Sequence, residues 1–311
     1  MKHLTKKKID ELNDMAYQIR RMSLDMITYS QWGHIGGTFS QAEILACLYD
    51  HVLRIAPDNP QWEDRDCFVL SKAHASPALY AALALKGFID YDDIYTYCRI
   101  GGLEGHLDML ETPGVECSGG SLGLGLSYSA GVAYGLRLKE AFHRRVYCLL
   151  GDGELCEGQI WEAAMFAGHH KLDNLTAVVD YNKLMAKGFI NELMALEPLA
   201  DKWKAFGWNV IEVDGHDVEE LCNAFHKVKY LESTGKPACI IAHTVKGRGV
   251  EECEFNYKWH THAPSVVKAN AFLHELSCTY DKAKGNDLKS AANGGEGDLN
   301  YIIEEHEYEV R

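Results

Sequence analysis

Two short polar segments of the sequence have the residue types to hold a metal ion together with an anion. Asp152 and Asn182 each come directly after an apolar segment, VYCLLG (146–151) for Asp152 and LTAVVDY (175–181) for Asn182. Carboxylate and amide oxygens are hard ligands that suit Mg²⁺ or Ca²⁺, and a diphosphate could complete the coordination. Gly153 has no side chain, so a phosphate oxygen could approach the backbone there. The residues predict a divalent-cation site that anchors a diphosphate.

Each segment has a simpler interpretation when it is taken alone. Gly-Asp-Gly is a common turn sequence, and Asn182 is an ordinary turn residue. The pair is more specific, because residues 154–181 leave room for a helix and the next strand, the shortest return between parallel strands. Nucleotide-binding glycine motifs are a weaker alternative, since neither a dinucleotide fingerprint nor a P-loop follows a predicted strand.

Alternating strand and helix patterns must position these residues. Strands are predicted at 66–71, 146–151, 175–181, 208–215 and 238–245, and helices at 5–30, 76–87, 126–142, 158–171, 198–206 and 217–232. Near-continuous apolar strands that alternate with helices indicate an α/β fold, a parallel sheet with helices on both faces. Ligands of such sheets bind beyond the carboxyl ends of the strands, where Asp152 and Asn182 would lie.

Two further segments carry local signals. Ser40 is predicted to cap a helix that begins at the next residue, and Glu43 would complete a capping box. Residues 101–125 contain many glycines and no apolar periodicity, which predicts a long loop. Long loops in compact domains are usually functional or disordered.

The composition limits the classes of protein that this chain can represent. Its 311 residues are 47% hydrophobic and 24% charged, with a net charge of -14. An acidic chain without a long basic run is not expected to bind nucleic acid. We see no signal peptide and no apolar run of about 20 residues that could span a bilayer. Several of the ten cysteines lie in apolar strands without a CxxC pair, which fits free thiols in a cytoplasmic protein.

The composition changes near the C-terminus. We predict one domain over residues 1–283, followed by a linker and acidic tail over residues 284–311. The last segment is expected to be exposed, or ordered only by a partner.

Several motifs in a fixed order resemble transketolases, in the half that binds the cofactor diphosphate. The motifs are GHIGG (33–37), LSKAHASPALYAAL (70–83), LEGHLDMLETPGVECSGGSLGLGLS (103–127), GDGELCEGQIWEAA (151–164), DYNKL (180–184) and KWH (258–260). Full-length transketolases also carry a second thiamine-binding domain and a C-terminal domain, which are not expected here. The resemblance therefore implies the N-terminal subunit of a split transketolase. Its partner chain would provide the pyrimidine-binding half, in an α2β2 assembly.

The resemblance also implies the cofactor and its ligands. The cofactor would be thiamine diphosphate with Mg²⁺ or Ca²⁺, and the metal would be held by Asp152, Asn182 and the backbone carbonyl of Leu184. The implied cofactor contacts come from His74, Gly120, Ser121, Leu122, Asp152, Gly153, Asn182 and His260. Ser121 stands where proline is common in the family.

Four histidines lie in Gly-rich or loop segments, although a single histidine in a globular chain is usually structural or exposed. The resemblance implies that His34, His106 and His260 face the hydroxyls of a sugar as catalytic groups. His74, and also His260, would contact a cofactor phosphate. Cleaving a ketose beside its carbonyl removes a hydroxyl proton, and a histidine with a pKa near neutrality can take and return that proton.

Glu157 and Glu162 follow the Gly-Asp-Gly motif closely. Taken alone they are solvent-exposed helix residues. The resemblance instead places both at the subunit interface as catalytic residues, where they would join a glutamate of the partner subunit in a proton network. Clustered carboxylates in a buried interface share protons, because like charges raise each other's pKa.

Some positions depart from the family pattern. Ala73 stands where glycine is usual, and Leu107 stands where proline is usual; these are expected to shift the backbone and to loosen the loop. Ala186 and Lys187 stand where Ile-Asp is often found, which is expected to leave room near the thiazolium and to reverse a charge. The departures indicate either an altered substrate or repacking.

The resemblance implies transfer of a two-carbon ketol unit from a ketose or ketose phosphate to an aldose or aldose phosphate. Other thiamine enzymes, such as deoxyxylulose phosphate synthase and the 2-oxo acid dehydrogenases, share the motif of Asp152 and Asn182. The loop at 103–127 and the KWH motif favour transketolase over these alternatives. A subunit that binds the cofactor without catalysis is a third hypothesis, and the intact ligand residues argue against it.

Overall fold

Five strands form one parallel sheet in the order β1-β2-β3-β5-β4. The computed structural model describes residues 4–231 and 234–284. The strands are β1 (Cys67–Leu70), β2 (Val146–Gly151), β3 (Leu175–Tyr181), β4 (Asn209–Asp214) and β5 (Ala238–His243). Every neighbouring pair is parallel. The predicted α/β class is therefore confirmed, and each predicted strand is present with small shifts at its ends.

Helices connect and cover the strands. They are α1 (Lys6–Ser30), α2 (Ile35–Ser40), α3 (Ala42–Cys47), α4 (Ser76–Lys86), α5 (Leu124–Leu138), α6 (Gly158–His169), α7 (Ile190–Leu193), α8 (Leu199–Ala205), α9 (Val218–Leu231) and α10 (Val266–Ala283). Gly87 ends α4 in the left-handed conformation with φ 81°, which glycine adopts without steric cost. The predicted loop at 101–125 is mostly turns, with α5 beginning inside its last residues.

The sheet separates two hydrophobic cores. Tyr147 and Leu149 of β2 pack with α1, α3, α4 and α9 on one face. Cys148 and Leu150 pack with α5, α6 and α8 on the other face. Because both faces are covered, every residue of β2 and β3 is buried, and this explains why these strands are mostly apolar, with Thr176 and Asp180 as polar exceptions in β3.

The predicted capping box at the start of α3 is wrong. Ser40 is the last residue of α2, and its hydroxyl donates to Asp180 at 2.6 Å. Glu43 is buried and accepts two hydrogen bonds from the Arg20 guanidinium, at 2.7 and 2.6 Å. The local motif is overridden because the Gly-rich segment is itself helical and both polar side chains find partners far along the chain.

Within residues 4–231 and 234–284, no helix is both long enough and apolar enough to cross a membrane. The predicted linker and tail lie outside the described residues, apart from Lys284 at their start. The boundary at residue 283 stays a prediction.

Candidate active site

Asp152 and Asn182 emerge at the same edge of the sheet. The parallel register pairs Gly151 of β2 with Asp180 of β3, so the two strands end side by side. The Asp152 carboxylate accepts a hydrogen bond from the backbone N–H of Lys183, immediately after Asn182. The Asp152 carboxylate therefore lies against the backbone that follows Asn182, and the convergence of the two side chains on one ion stays a prediction.

Three buried residues at this edge carry candidate ligand oxygens: the Asp152 carboxylate, the Asn182 side-chain carbonyl and the Leu184 backbone carbonyl. We call them the oxygen set. The Asn182 oxygen accepts from the Leu184 N–H at 3.1 Å, and the Leu184 carbonyl accepts from the Lys246 ammonium at 2.9 Å. Such oxygens are the ligands that Mg²⁺ and Ca²⁺ prefer, so the chemistry of the oxygen set fits a divalent cation. Among the described residues, no group of three or more His, Cys, Asp or Glu side chains is arranged to hold a metal.

The charges around the oxygen set leave one carboxylate incompletely balanced. Burial and the neighbouring Asp180 raise the pKa of Asp152 to about 7. Burial also acts to raise the pKa of Asp180, but Lys72 beside it holds that pKa below its usual value. Burial, with a contribution from Lys72, lowers the pKa of Lys246 to about 8. A divalent cation next to Asp152 would supply the missing positive charge.

Asp180 is a buried charged residue beside the oxygen set that the sequence analysis did not include in the site. It is fully buried and accepts hydrogen bonds from the side chains of Lys72, Ser40 at 2.6 Å, Thr244 and Asn182 at 3.2 Å. The side-chain amide nitrogen of Asn182 donates to Asp180. The side-chain oxygen of Asn182 therefore points away from Asp180, and this oxygen is the one counted in the oxygen set. The available signal was a charged residue at the end of an apolar strand, since buried carboxylates require partners.

Glu154 is a second residue that was missed. Its carboxylate accepts from the Ser71 hydroxyl, from the Gly123 N–H at 2.8 Å and from the Gly151 N–H at 3.0 Å. Burial raises its pKa, although these hydrogen bonds oppose the effect. Glu154 thereby joins the ends of β1 and β2 to the Gly-rich loop, and its place directly after Gly-Asp-Gly could have indicated a role.

The structure brings the four histidines of the sequence analysis together in one cluster. The ring centroids of His34 and His74 are 5.0 Å apart, those of His34 and His260 5.4 Å, and those of His74 and His260 5.3 Å. His106 is 6.5 Å from His34. We call His34, His74, His106 and His260 the histidine cluster. It adjoins the oxygen set, because Lys246 lies 2.9 Å from both the Leu184 carbonyl and Nδ1 of His260.

Three of these imidazoles are held neutral near pH 7. Burial, His106 and Lys246 lower the pKa of His34 to about 4, and burial and Lys246 lower that of His260 to about 3. Burial and His34 lower the pKa of His74 as well. The pKa near neutrality that was expected of the sugar-facing histidines is therefore wrong for His34 and His260 in this structure, because burial and a neighbouring lysine lower both values.

The His34 and His260 rings have distinct hydrogen-bonding states. Nδ1 of His34 is buried without a hydrogen-bond partner among the described residues. Nδ1 of His260 accepts from the Lys246 ammonium, which leaves the proton of the neutral ring on Nε2. Buried polar atoms are normally paired, so the orphaned nitrogen of His34 indicates a place for a ligand.

The predicted cofactor loop lies beside the histidine cluster. Gly120 has φ 155°, and a Cβ there would come 3.9 Å from the His106 ring. Ser121 is exposed and Leu122 is half-buried, so both line the surface of this loop. A Cβ on Gly153 would come 3.2 Å from the Met185 side chain, so the backbone after Asp152 is closely approached on that side.

The departures from the family pattern have local explanations in the structure. Leu107 was expected to loosen the loop, but it is buried and its carbonyl accepts from the Gly119 N–H at 2.9 Å. Ala73 is buried against the same glycine, where a Cβ on Gly119 would come 2.4 Å from that of Ala73. Ala186 and Lys187 are exposed, so they impose no packing change in this chain.

Glu157 and Glu162 lie at the start and on the outer side of α6, and both are exposed. Large apolar side chains on α5 and α6 are also exposed: Leu124, Tyr128, Leu138, Met165 and Phe166. We call these five residues the apolar face. The two helices pack together through Tyr134 and Phe166, whose rings are 5.7 Å apart. The structure does not bring the two glutamates into contact with the histidine cluster.

Comparison with known proteins gives the family. Residues 12–270 match the family described as "Transketolase, thiamine diphosphate binding domain". The chain belongs to this family. This match confirms the family predicted from the sequence and its cofactor, thiamine diphosphate.

Two similar proteins are themselves named as subunits. The chain is 45% identical over 245 residues to the 6-deoxy-6-sulfo-D-fructose transketolase subunit SqwG of a Clostridium species, covering 78% of this chain and 88% of that protein. It is 38% identical to a subunit of the apulose-4-phosphate transketolase of Phocaeicola vulgatus, covering 88% of this chain and 96% of that protein. Among solved structures, transketolase from Leishmania mexicana superposes with a TM-score of 0.80 at 29% identity, over 89% of this chain and 41% of that one. Transketolase activity as the class of function is thereby confirmed.

Proposed function

We propose that this chain is the N-terminal subunit of a two-chain transketolase. With its partner it transfers a two-carbon ketol unit from a ketose to an aldose, using thiamine diphosphate and Mg²⁺ or Ca²⁺. The observation that carries the proposal is the meeting of the buried oxygen set with the histidine cluster through Lys246, which contacts Leu184 and His260 at 2.9 Å each. This contact supports a site in which diphosphate anchoring and proton transfer occur side by side.

The diphosphate of the cofactor would be bound by a metal ion and would approach the chain where a glycine leaves space. Asp152, Asn182 and the Leu184 carbonyl would hold the metal, which would bind the diphosphate in turn. A Cβ on Gly37 would lie 3.6 Å from His74 Nε2 and 3.8 Å from the Lys72 ammonium, so this glycine leaves space between two donors. When bound, thiamine diphosphate supplies the electron sink for breaking a carbon–carbon bond beside a carbonyl.

The histidine cluster would handle the sugar hydroxyls. Breaking the bond beside the ketose carbonyl requires that the neighbouring hydroxyl lose its proton. A neutral His34 can accept that proton on its free nitrogen, and neutral His260 donates a hydrogen bond from Nε2 to a hydroxyl or phosphate oxygen. His106 is the exposed member and would contact the same hydroxyls from the solvent side. Positioned general bases contribute about 10² to 10⁴ in rate when their pKa lies near the working pH.

The partner subunit would cover the apolar face. Five large apolar side chains on two adjacent helices form a patch of the kind that marks a protein interface. Glu157 and Glu162 beside it would then become buried and could share protons with a glutamate of the partner subunit. We assign the pyrimidine-binding half to that subunit, in an α2β2 assembly located in the cytoplasm.

The substrate would be a ketose with an anionic group at its far end, and the acceptor an aldose of the same kind. The two similar subunits are named for a sulfonated ketose and for a ketose phosphate. A phosphate or sulfonate at that end would reach toward the partner half of the site. Because the partner chain would contribute to substrate binding, the two chains should be co-expressed before substrates are tested.

The experiment is an activity assay on the co-purified pair. We expect two-carbon transfer from D-fructose 6-phosphate, 6-deoxy-6-sulfo-D-fructose or apulose 4-phosphate to an aldose phosphate, dependent on thiamine diphosphate and Mg²⁺.

Asp152→Ala should abolish metal-dependent cofactor binding measured by calorimetry, whereas Asp58→Ala, at an exposed loop position, should not. Pyruvate decarboxylation without ketol transfer would assign the pair to another class of thiamine enzymes. Cofactor binding without turnover of either kind would support a non-catalytic subunit.

A further inference from the structure

Trp32 is a large aromatic residue exposed beside the histidine cluster. Its side chain is 50% exposed, and its ring centroid lies 6.4 Å from that of His34 with the planes nearly perpendicular. A Cβ on Gly105, the residue before His106, would come 3.7 Å from Nε1 of the indole. The indole therefore lies along the rim between His34 and the backbone that precedes His106.

The backbone around Trp32 is held in place. The Trp32 N–H donates to the Ser30 hydroxyl at 3.2 Å, and that hydroxyl donates to the Trp32 carbonyl at 2.8 Å. Gln31 ends α1 in the left-handed conformation with φ 54°, and its amide donates to the carbonyls of Thr28 and Pro264. The indole is thus presented on a constrained turn, and the hydrogen bonds that Trp32 makes with described residues all use its backbone.

Single exposed apolar side chains need no explanation in general. Trp32 differs because it stands beside the ring of His34, whose Nδ1 is buried with no hydrogen-bond partner among the described residues. Aromatic side chains with one apolar face and one polar N–H are common where a ligand offers both carbon and oxygen atoms. A ligand whose oxygen hydrogen-bonds His34 at about 3 Å could place its next carbon atoms in van der Waals contact with the indole, at about 3.5–4.0 Å.

We propose that Trp32 is a substrate-contacting residue that determines specificity for the length of the ketose. Its indole face packs against the carbon chain beyond the bond that breaks, and its Nε1–H donates to an oxygen of that chain. The ligand class is an open-chain ketose that extends past its third carbon. This inference rests on the proposed function, since it assumes that the reacting carbons lie at the histidine cluster.

The experiment compares two donors in the reconstituted pair. D-Fructose 6-phosphate has a chain beyond its third carbon, whereas hydroxypyruvate has none and would release the same two-carbon unit with carbon dioxide. We expect Trp32→Ala to lower the ratio of kcat/KM for D-fructose 6-phosphate over that for hydroxypyruvate by about tenfold or more, chiefly through the KM of the longer donor. Trp32→Phe, which keeps an aromatic face without the N–H, should fall between the wild type and Trp32→Ala.

Trp62 provides the matched control. It is half-buried in the loop that leads into β1, whereas His74 of the cluster follows the other end of that strand, so Trp62→Phe should leave the ratio unchanged. An equal loss for both donors in Trp32→Ala, an unchanged ratio, or failure of that variant to assemble with the partner would overturn the inference.

Calorimetric titration of D-fructose 6-phosphate into the pair separates this inference from the proposed function. If the wild-type pair binds the sugar but turns over none of the three ketoses, the proposed function fails, while weaker binding by Trp32→Ala still supports the contact. If turnover is seen and Trp32→Ala binds the sugar as the wild type does, only the inference fails. No binding of the sugar to the wild-type pair overturns the inference as well.

Discussion

The two buried lysines near Asp152 and Asp180 are distant from these carboxylates in the sequence. Lys246 contacts both the Leu184 carbonyl and His260, and Lys72 forms a buried ion pair with Asp180. Buried ion pairs contribute little net stability, because desolvation offsets the attraction between the charges. Stability alone does not explain why Lys72 and Lys246 are buried near Asp152 and Asp180. Binding of an anion together with a cation, as in a metal diphosphate, explains the four buried charges better.

The buried His34 makes a prediction about pH. Its pKa is lowered from the ordinary value of 6.5 to about 4, so the unfolded chain binds the proton more readily between these values. Stability from this group is therefore fully present above about pH 6.5 and is lost as the pH falls toward 4. When the pH falls from 7 to 5, the free energy of unfolding of the wild type should drop because of His34. We expect the drop in His34→Gln to be smaller by roughly 1–2 kcal/mol.

Urea denaturation of the chain without cofactor at both pH values measures this difference. The comparison with the variant isolates His34 from Asp152, whose raised pKa acts in the opposite direction. Val267→Gln, an exposed change on α10, is the control and should follow the wild type. Parallel pH curves for His34→Gln and the wild type would show that the His34 ring is not held neutral.

Individual site residues differ in how far the sequence reveals them. Asp152 and Asn182 are predictable because each follows an apolar strand, and a parallel register alone brings such positions together. Lys72 and Asp180 are not, since they are 108 residues apart and their pairing depends on how α2 and the loop after β1 pack on the sheet. Trp32 lies outside any motif quoted for the site, and only the fold places it beside His34.

At the scale of elements, a buried network holds the loop that carries Lys246. Nδ1 of His216 lies 3.0 Å from Glu43, and its Nε2 accepts from the Val245 N–H at 2.8 Å. The same Glu43 carboxylate is bound by both terminal nitrogens of Arg20. The network connects α1 and α3 to the segment after β5, so the position of Lys246 depends on residues of the first helix.

Glu43 makes the prediction at this scale. Glu43→Ala removes the partner of a buried arginine, and breaking a buried pair costs about 3–5 kcal/mol because Arg20 is left uncompensated. Glu212→Ala is the matched control, since Glu212 pairs with His243 at 2.9 Å on the surface and should cost at most about 1 kcal/mol. Urea midpoints of the two variants test this. Equal costs would contradict the assigned role of the network.

Strands and long helices were the most predictable elements. Near-continuous apolar runs fixed β2 and β3 almost to the residue, since burial on both faces excludes polar side chains other than those with buried partners, such as Asp180. The segment around Ser40 was misjudged because a capping box is a local signal, and here Glu43 gains more from Arg20 and His216 than from a helix terminus. Elements whose polar residues have distant partners need the tertiary structure.

At the scale of the whole molecule, the candidate site is accompanied by the exposed apolar face. A composition of 47% hydrophobic residues is ordinary and gives no sign of such a surface. The face becomes visible only when α5 and α6 are placed side by side. A chain that carries the proposed metal ligands and exposes apolar side chains on α6, beside Glu157 and Glu162, is suited to act with a second subunit.

The last prediction concerns that assembly. Met165 lies on the apolar face and is 58% exposed, so Met165→Glu should leave the isolated chain folded. In the complex, the new carboxylate would be desolvated without a partner, and we expect the affinity for the partner subunit to fall tenfold or more, about 1.4 kcal/mol. Val267 on α10 is 82% exposed, and Val267→Glu adds the same charge away from the apolar face. Size-exclusion chromatography with light scattering, followed by calorimetric titration of the partner, compares the two variants. If Met165→Glu binds the partner as tightly as Val267→Glu does, the partner subunit docks elsewhere on the molecule.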